Sequence, residues 1–350
     1  MSRKTTILTV VLSLLALAVP ASATAKARPH AVVFSQAWST GSGKEETLKG
    51  GLFAIRDGHT NQLTEDPADV EPSFSADGRT IAYAREGDLF SIRPDGSGQR
   101  QLTSGPEIDS APRLSPNGRY VLFERRASAD AAADLYTVGA HGGGVRALTT
   151  GANDDHEARF SPDGKAIVFV RGTADSADAV NDDLYSVRPN GSGLARLTVT
   201  PGIDEFAPRY FAGGILYSRG DSSDTAAAYA DVYTMKRNGA RVKPLVAGVG
   251  SAYVEDVSAG GHTVLFRRDQ GLWFKHIGPG KARKLTQLPD GSKTNSVFSP
   301  DGKLVAAFIT VEESKQLMAI NVANGRRTEL ADSFETEDGA QLGPVIAWQP

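Results

Sequence analysis

Short stretches in which apolar and polar positions alternate recur along the chain, among them Ile81 to Ala84, Val121 to Phe123, Ile167 to Val170 and Val264 to Phe266. A period of two puts successive side chains on opposite faces and predicts strands rather than helices. Each stretch follows a turn signature. The clearest copies are Pro72-Ser-Phe-Ser-Ala-Asp-Gly78, Pro112-Arg-Leu-Ser-Pro-Asn-Gly118, Ala158-Arg-Phe-Ser-Pro-Asp-Gly164 and Ser296-Val-Phe-Ser-Pro-Asp-Gly302, with weaker ones at Pro208 to Gly214 and Glu255 to Gly261. A third segment follows, as in Asp88-Leu-Phe-Ser-Ile92 or Asp134-Leu-Tyr-Thr-Val138, and then a short fourth that closes on Leu102-Thr103, Leu148-Thr149, Leu197-Thr198 or Leu285-Thr286. Asp-Gly and Asn-Gly supply the left-handed backbone positions that the connecting hairpins need.

Four short antiparallel strands recurring every ~35–50 residues predict propeller blades around a central channel. A single blade cannot bury both faces, so the ring must close. The two ends of the chain offer that closure. Ala31 to Phe34, Gly51 to Ile55 and Gln62 to Thr64 read as the last three strands of a unit, and Val345 to Pro350 reads as the missing first strand, with Trp348 in the place of Phe74, Phe160 and Phe298. The expected fold is therefore all-β: a β-propeller of four-stranded antiparallel blades forming one domain over residues 30–350. Six complete units and one composite unit make seven blades; six is the alternative, because the fourth and fifth copies are degraded.

The Ser-Pro-Asp-Gly turn, the aromatic before it and the closing Leu-Thr pair resemble the WD40-like repeats of the TolB-like propeller family. The resemblance covers nearly all of residues 30–350. It implies the fold, while function in that family ranges from binding scaffolds to propellers attached to prolyl-oligopeptidase-type hydrolases. TolB itself resembles a propeller with an α/β domain placed before it, whereas here the repeats are expected to begin within a few residues of an export signal at residues 1–25. No Gly-x-Ser-x-Gly nucleophile elbow occurs.

Composition narrows the picture. Lys and Arg number 38 against 41 Asp and Glu, a net charge of -3, so no general basic excess draws the surface to nucleic acid. The chain has no cysteine, which excludes disulfides and thiolate zinc sites. Arg3 and Lys4 precede an apolar run from Ile7 to Val19 and the small residues Ala21 to Ala25. That order predicts a cleaved export signal over residues 1–25 and a secreted, periplasmic or cell-envelope destination, with no later transmembrane segment.

Local chemical motifs are weak. Gly41-Ser-Gly-Lys44 lacks the first glycine of a phosphate loop, and His156-Glu157 lacks the second histidine of a zinc-protease motif. The pattern of charge over the predicted ring is more informative. Loops that join blades and loops between second and third strands share one rim. Asp69, Glu71, Asp109, Asp155, His156, Glu157 and Glu205 fall there, each just before a blade's first strand, beside three enlarged acidic loops at 127–134, 172–183 and 220–231. The other rim collects basic residues such as Arg79, Arg119, Lys165, Arg188, Arg237 and Lys303.

The expectation is a monomeric, exported scaffold, not an enzyme. Its acidic mouth, at those seven residues, would recognise a protein, peptide or cell-envelope component. No cofactor is implied. Clustered carboxylates in these loops would hold a hard cation such as Ca²⁺, although no ordered calcium-loop sequence is present. The alternative is a propeller lyase or hydrolase that uses the mouth carboxylates and His156 as acid and base.

Overall fold

The computed structural model describes residues 31–40, 47–172, 181–220, 229–248, 250–311, 314–335 and 347–349. These residues form seven four-stranded antiparallel sheets arranged as a ring of blades. Blade 1 consists of Val70–Phe74, Ile81–Arg85, Asp88–Ile92 and Arg100–Gln101. The inner strands of blades 2 to 6 are Ile108–Leu114, Asp154–Phe160, Asp204–Phe211, Ala252–Val257 and Lys293–Phe298. Blade 7 is composite: Ala347–Trp348 pairs with Val32–Thr40, which continues into Thr47–Arg56 and His59–Gln62. The ring thus has seven blades, not six, and the degraded fourth and fifth repeats are complete sheets.

The core lies between blades rather than within them. Val33, Leu52 and Ala54 of blade 7 pack on Ile81, Tyr83 and Ile92 of blade 1. Val168, Val170 and Leu184 of blade 3 pack on Tyr210, Ile215, Tyr217 and Met235 of blade 4. Second strands are covered on both faces, which corrects the alternation expected from the sequence: their apolar runs are continuous where a one-sided sheet would alternate. Ile81 to Ala84 is buried throughout.

The repeat signature has a hydrogen-bonding cause at each point. Ser75 donates to Asp77 at 2.6 Å and accepts from the Thr80 N–H at 3.0 Å, a turn that Gly78 completes at φ 66°. Ser115, Ser161 and Ser299 make the same bond to Asn117, Asp163 and Asp301. The threonine of each Leu-Thr pair ties the fourth strand back to the third: Thr103, Thr149 and Thr198 Oγ1 accept from the N–H groups of Leu89, Leu135 and Leu184 at 2.8–2.9 Å.

The closure is made by few residues. The Gln349 N–H donates to the Ala31 carbonyl at 2.7 Å, the Trp348 indole N–H to the Val297 carbonyl of blade 6 at 3.1 Å, and Gln349 Nε2 to the Gly78 carbonyl of blade 1 at 2.8 Å. Removing residues 347–350 exposes the edge of Val32–Thr40 and opens the ring. The truncated protein is expected to lose ~3 kcal/mol or more, the scale of deleting a large packed side chain, in a urea unfolding experiment.

Candidate functional site

The seven residues expected to form an acidic mouth do not act together. Asp69, Asp109 and Asp155 are buried, and each is held bidentately by an arginine at the end of its own blade's second strand. Arg85 donates to Asp69 at 2.6 and 2.8 Å, Arg125 to Asp109 at 2.7 and 2.8 Å, and Arg171 to Asp155 at 2.6 and 2.6 Å. The same guanidiniums lie over Phe90, Tyr136 and Tyr185 of the third strands, with centroid distances of 4.8–5.1 Å. Carboxylate, guanidinium and ring therefore staple three strands of one blade. Both oxygens of each Asp are committed inside the protein, which replaces the expected offer of these carboxylates to a ligand with a structural role.

Blade 4 carries a looser version. Glu205, fully buried, stands where the others have Asp; its extra methylene leaves Oε1 3.5 Å from Arg219 Nε, and neither oxygen has a hydrogen-bond partner of ordinary length. Burial pushes its carboxyl up to about 7, offset only in part by the hydroxyls of Thr200 and Thr198. His156 is half-buried, with Nδ1 3.6 Å from an Asp154 carboxylate oxygen. Asp155 is turned to Arg171, so the Asp155, His156 and Glu157 run does not converge as an acid and base pair.

Glu71 and Glu157 act between blades. Each sits on a β-bulge of its inner strand with positive φ, 56° and 54°, and Ala111 and Ala207 hold the same position in blades 2 and 4 at 51°. Left-handed backbone at a non-glycine residue is unfavourable and persists only where its surroundings hold it. Here the bulged N–H is bound by the preceding blade. Glu71 accepts from Ala111 N–H, Glu124 from Glu157 N–H and Glu157 from Ala207 N–H; in blade 5 it is the N–H of Val254, beside the register shift, that Ser218 Oγ accepts from. Where the bulge residue is alanine, the side chain before the stapling arginine, Glu124 or Ser218, takes over.

Beyond the bulge the inner strands direct a ring of equivalent residues into the channel: Ser73, Arg113, Arg159, Arg209, Asp256, Val297 and Ala347. All seven line one cavity of about 380 Å³. Arg113, Arg159 and Arg209 occupy three successive blades. Each guanidinium donates to the carbonyl before it on its own strand, Pro112, Ala158 and Pro208, at 2.9–3.2 Å. Arg209 also reaches the Glu255 carbonyl at 3.3 Å. Among the described residues none of the three has a carboxylate oxygen within 4.0 Å, although Glu71, Glu124 and Glu157 lie close enough to offset part of their charge. Burial lowers Arg113, and burial together with the neighbouring guanidiniums Arg209 and Arg113 lowers Arg159 further.

The rest of the cavity wall differs. Glu255 accepts from Thr294 Oγ1 and the Ser296 N–H, and Asp256 from the Phe298 N–H, at 2.8–2.9 Å. Burial raises both carboxyls, Glu255 to about 7. Phe74, Val297, Phe298 and Trp348 form an apolar arc opposite. The arginines were missed in the sequence because Arg113, Arg159 and Arg209 read as ordinary polar members of a turn signature. Their signal was the coincidence of three charges in one repeat register.

No metal-holding cluster of three or more His, Cys, Asp or Glu occurs among the described residues. Much of two enlarged loops, residues 173–180 and 221–228, and the expected export signal lie outside the described residues. No helix among those described is long and apolar enough to cross a membrane.

No family model and no curated protein matches the chain. Solved structures match it as a fold. An oligogalacturonate lyase in complex with manganese has a TM-score of 0.64 at 11% identity, covering 79% of this chain and 85% of that one. A Mycobacterium tuberculosis puromycin-hydrolyzing peptidase has a TM-score of 0.64 at 14% identity, covering 87% of this chain and 54% of that one. TolB from Acinetobacter baumannii has a TM-score of 0.53 at 16% identity, covering 91% and 83%. The class is thus a seven-bladed β-propeller with TolB among its structural neighbours. The expectation that the chain is not an enzyme is corrected by the same finding, since a lyase and a peptidase carry this propeller and the fold gives no ground for excluding catalysis.

Two outcomes follow from the geometry. Asp155→Ala leaves Arg171 buried without its partner and is expected to cost ~3–5 kcal/mol in urea unfolding. Glu205 binds its proton more tightly in the folded chain than at the ordinary glutamate value of 4.5, so its ionisation opposes folding. Stability should be greatest below that value and fall as pH rises through about 7, by up to roughly 3 kcal/mol. Unfolding free energies at pH 5 and pH 8 should differ less in Glu205→Gln than in the wild type.

Proposed function

We propose that this protein is an exported ligand-binding propeller of the TolB-like kind whose central channel receives the anionic group of a protein, peptide or cell-envelope component. The observation that carries the reading is the arc of Arg113, Arg159 and Arg209 on three successive inner strands, with no carboxylate among the described residues within 4.0 Å of any of them. Confined cations without close partners are unfavourable until a counter-ion arrives. Guanidinium groups also match carboxylate and phosphate oxygens in a bidentate geometry.

The cavity reaches the turns that carry Ala76, Ala259 and Pro300, on the side of the ring expected to be basic. A basic rim raises the local concentration of anions at that end. Export is supported by the basic, apolar and small-residue order of residues 1–25. The TolB-like affiliation is supported by the repeated Ser-Pro-Asp-Gly turns and Leu-Thr closures.

Isothermal titration with acetate, succinate, inorganic phosphate and 3-phenylpropanoate tests the reading. At least one of these anions should bind, and Arg159→Gln should weaken it by about tenfold or more, the worth of one charged hydrogen bond. Arg119→Gln, an exposed change on the turn rim, should leave binding unaltered. Absence of binding by every anion, or equal binding by Arg159→Gln, would overturn it.

A further inference from the structure

The channel ring is not uniformly basic, and its order round the seven blades carries more information than its charge. Arg113, Arg159 and Arg209 are followed on the next inner strand by Asp256, and then by Val297 and Ala347. Arg209 and Asp256 are neighbours in this ring, yet they are not ion-paired. Arg209 is turned to the backbone carbonyls of Pro208 and Glu255, and Asp256 to the Phe298 N–H through Oδ2. Two opposite charges on adjacent strands are thus held apart by backbone partners and both border the same cavity.

We infer that the channel ligand is an apolar α-amino acid, its carboxylate held by the arginine arc, its ammonium by the carboxylate of Asp256 and its side chain by Phe74, Val297, Phe298 and Trp348. The inference rests on the anion-binding reading above and adds the cation and the apolar group. Three observations on the cavity wall match the three parts of such a molecule. The guanidiniums form a contiguous arc, so they receive one anionic group rather than several dispersed ones. Asp256 accepts only from backbone N–H groups, those of Phe298 and Val257, and has no cationic side chain within 4.0 Å among the described residues, so its carboxylate keeps lone pairs for an ammonium. An ammonium beside Asp256 also favours its ionised form, which burial alone opposes. The remaining wall is aromatic and aliphatic, and a cavity of about 380 Å³ lies in the range of small-molecule rather than extended-chain sites.

The test uses the purified protein and three probes that share one side chain: L-phenylalanine, 3-phenylpropanoate without the amine, and phenethylamine without the carboxylate. Titration calorimetry at neutral pH should give L-phenylalanine about tenfold tighter binding than 3-phenylpropanoate, and no measurable binding of phenethylamine. Asp256→Asn, whose amide oxygen can still accept from Phe298, should bring L-phenylalanine down to the level of 3-phenylpropanoate, with a melting temperature measured alongside. Should this variant fail to fold, the comparison of the three probes on the wild type decides alone. Equal or tighter binding of 3-phenylpropanoate by the wild type overturns the amino-acid inference and leaves the anion reading standing, as does a preference for L-phenylalanine that Asp256→Asn retains. If neither these probes nor the simple anions bind, both readings fail together.

Discussion

A four-stranded blade has two apolar faces and can cover neither by itself; every other feature of this molecule follows from that constraint. Covering comes only from neighbours, so the core is distributed over the junctions between blades, and the last junction must be made by residues from both ends of the chain. The few bonds made by Trp348 and Gln349 therefore carry a burden out of proportion to their number. Removing them affects a closed ring, whose opening exposes a sheet edge and part of two blade faces.

Charge is used at three depths, for three purposes. Nearest the blade-joining loops, Asp69, Asp109 and Asp155 pair with arginines sixteen residues later and bind strands within a blade. At the bulges, Glu71, Glu124 and Glu157 bind the next blade through its strained N–H groups. Beyond the bulges, Arg113, Arg159 and Arg209 face the channel with backbone carbonyls as their close partners. The first two layers have their charges satisfied and make the structure. The third does not, which is why it is the candidate site. The bulge connects the layers: by inserting one residue it changes which side chain meets the channel, and by needing an acceptor for its N–H it recruits the carboxylates that neighbour the arginines.

Blade 4 departs from the scheme in a way that has an energetic consequence. Replacing the stapling Asp with Glu205 keeps the charge but lengthens the arm, and the geometry that suits the shorter acid leaves the longer one unsatisfied. A repeat architecture tolerates such a local cost because each blade is stabilised by contacts with two neighbours.

The amino-acid sequence by itself determined the fold: strand period, turn glycines, Leu-Thr closures and the split blade are all local or repeated, and repetition averages out the ambiguity of any single copy. It also determined that Trp348 belongs to the position of Phe74 and Phe298. Which charges are available was decided only in three dimensions. Asp69, Glu71, Asp109, Asp155, Glu157 and Glu205 share one stretch of each repeat and read alike as an acidic rim, but strand pairing brings arginines to four of them and a neighbouring blade's N–H to the other two. The arginines of the channel were equally visible as letters, yet their direction depends on a bulge whose existence rests on contacts between blades. Strand propensity and turn chemistry act over a few residues and can be read along the chain; the pairing of charges depends on register across sheets and on what the next blade supplies, and that belongs to the closed ring.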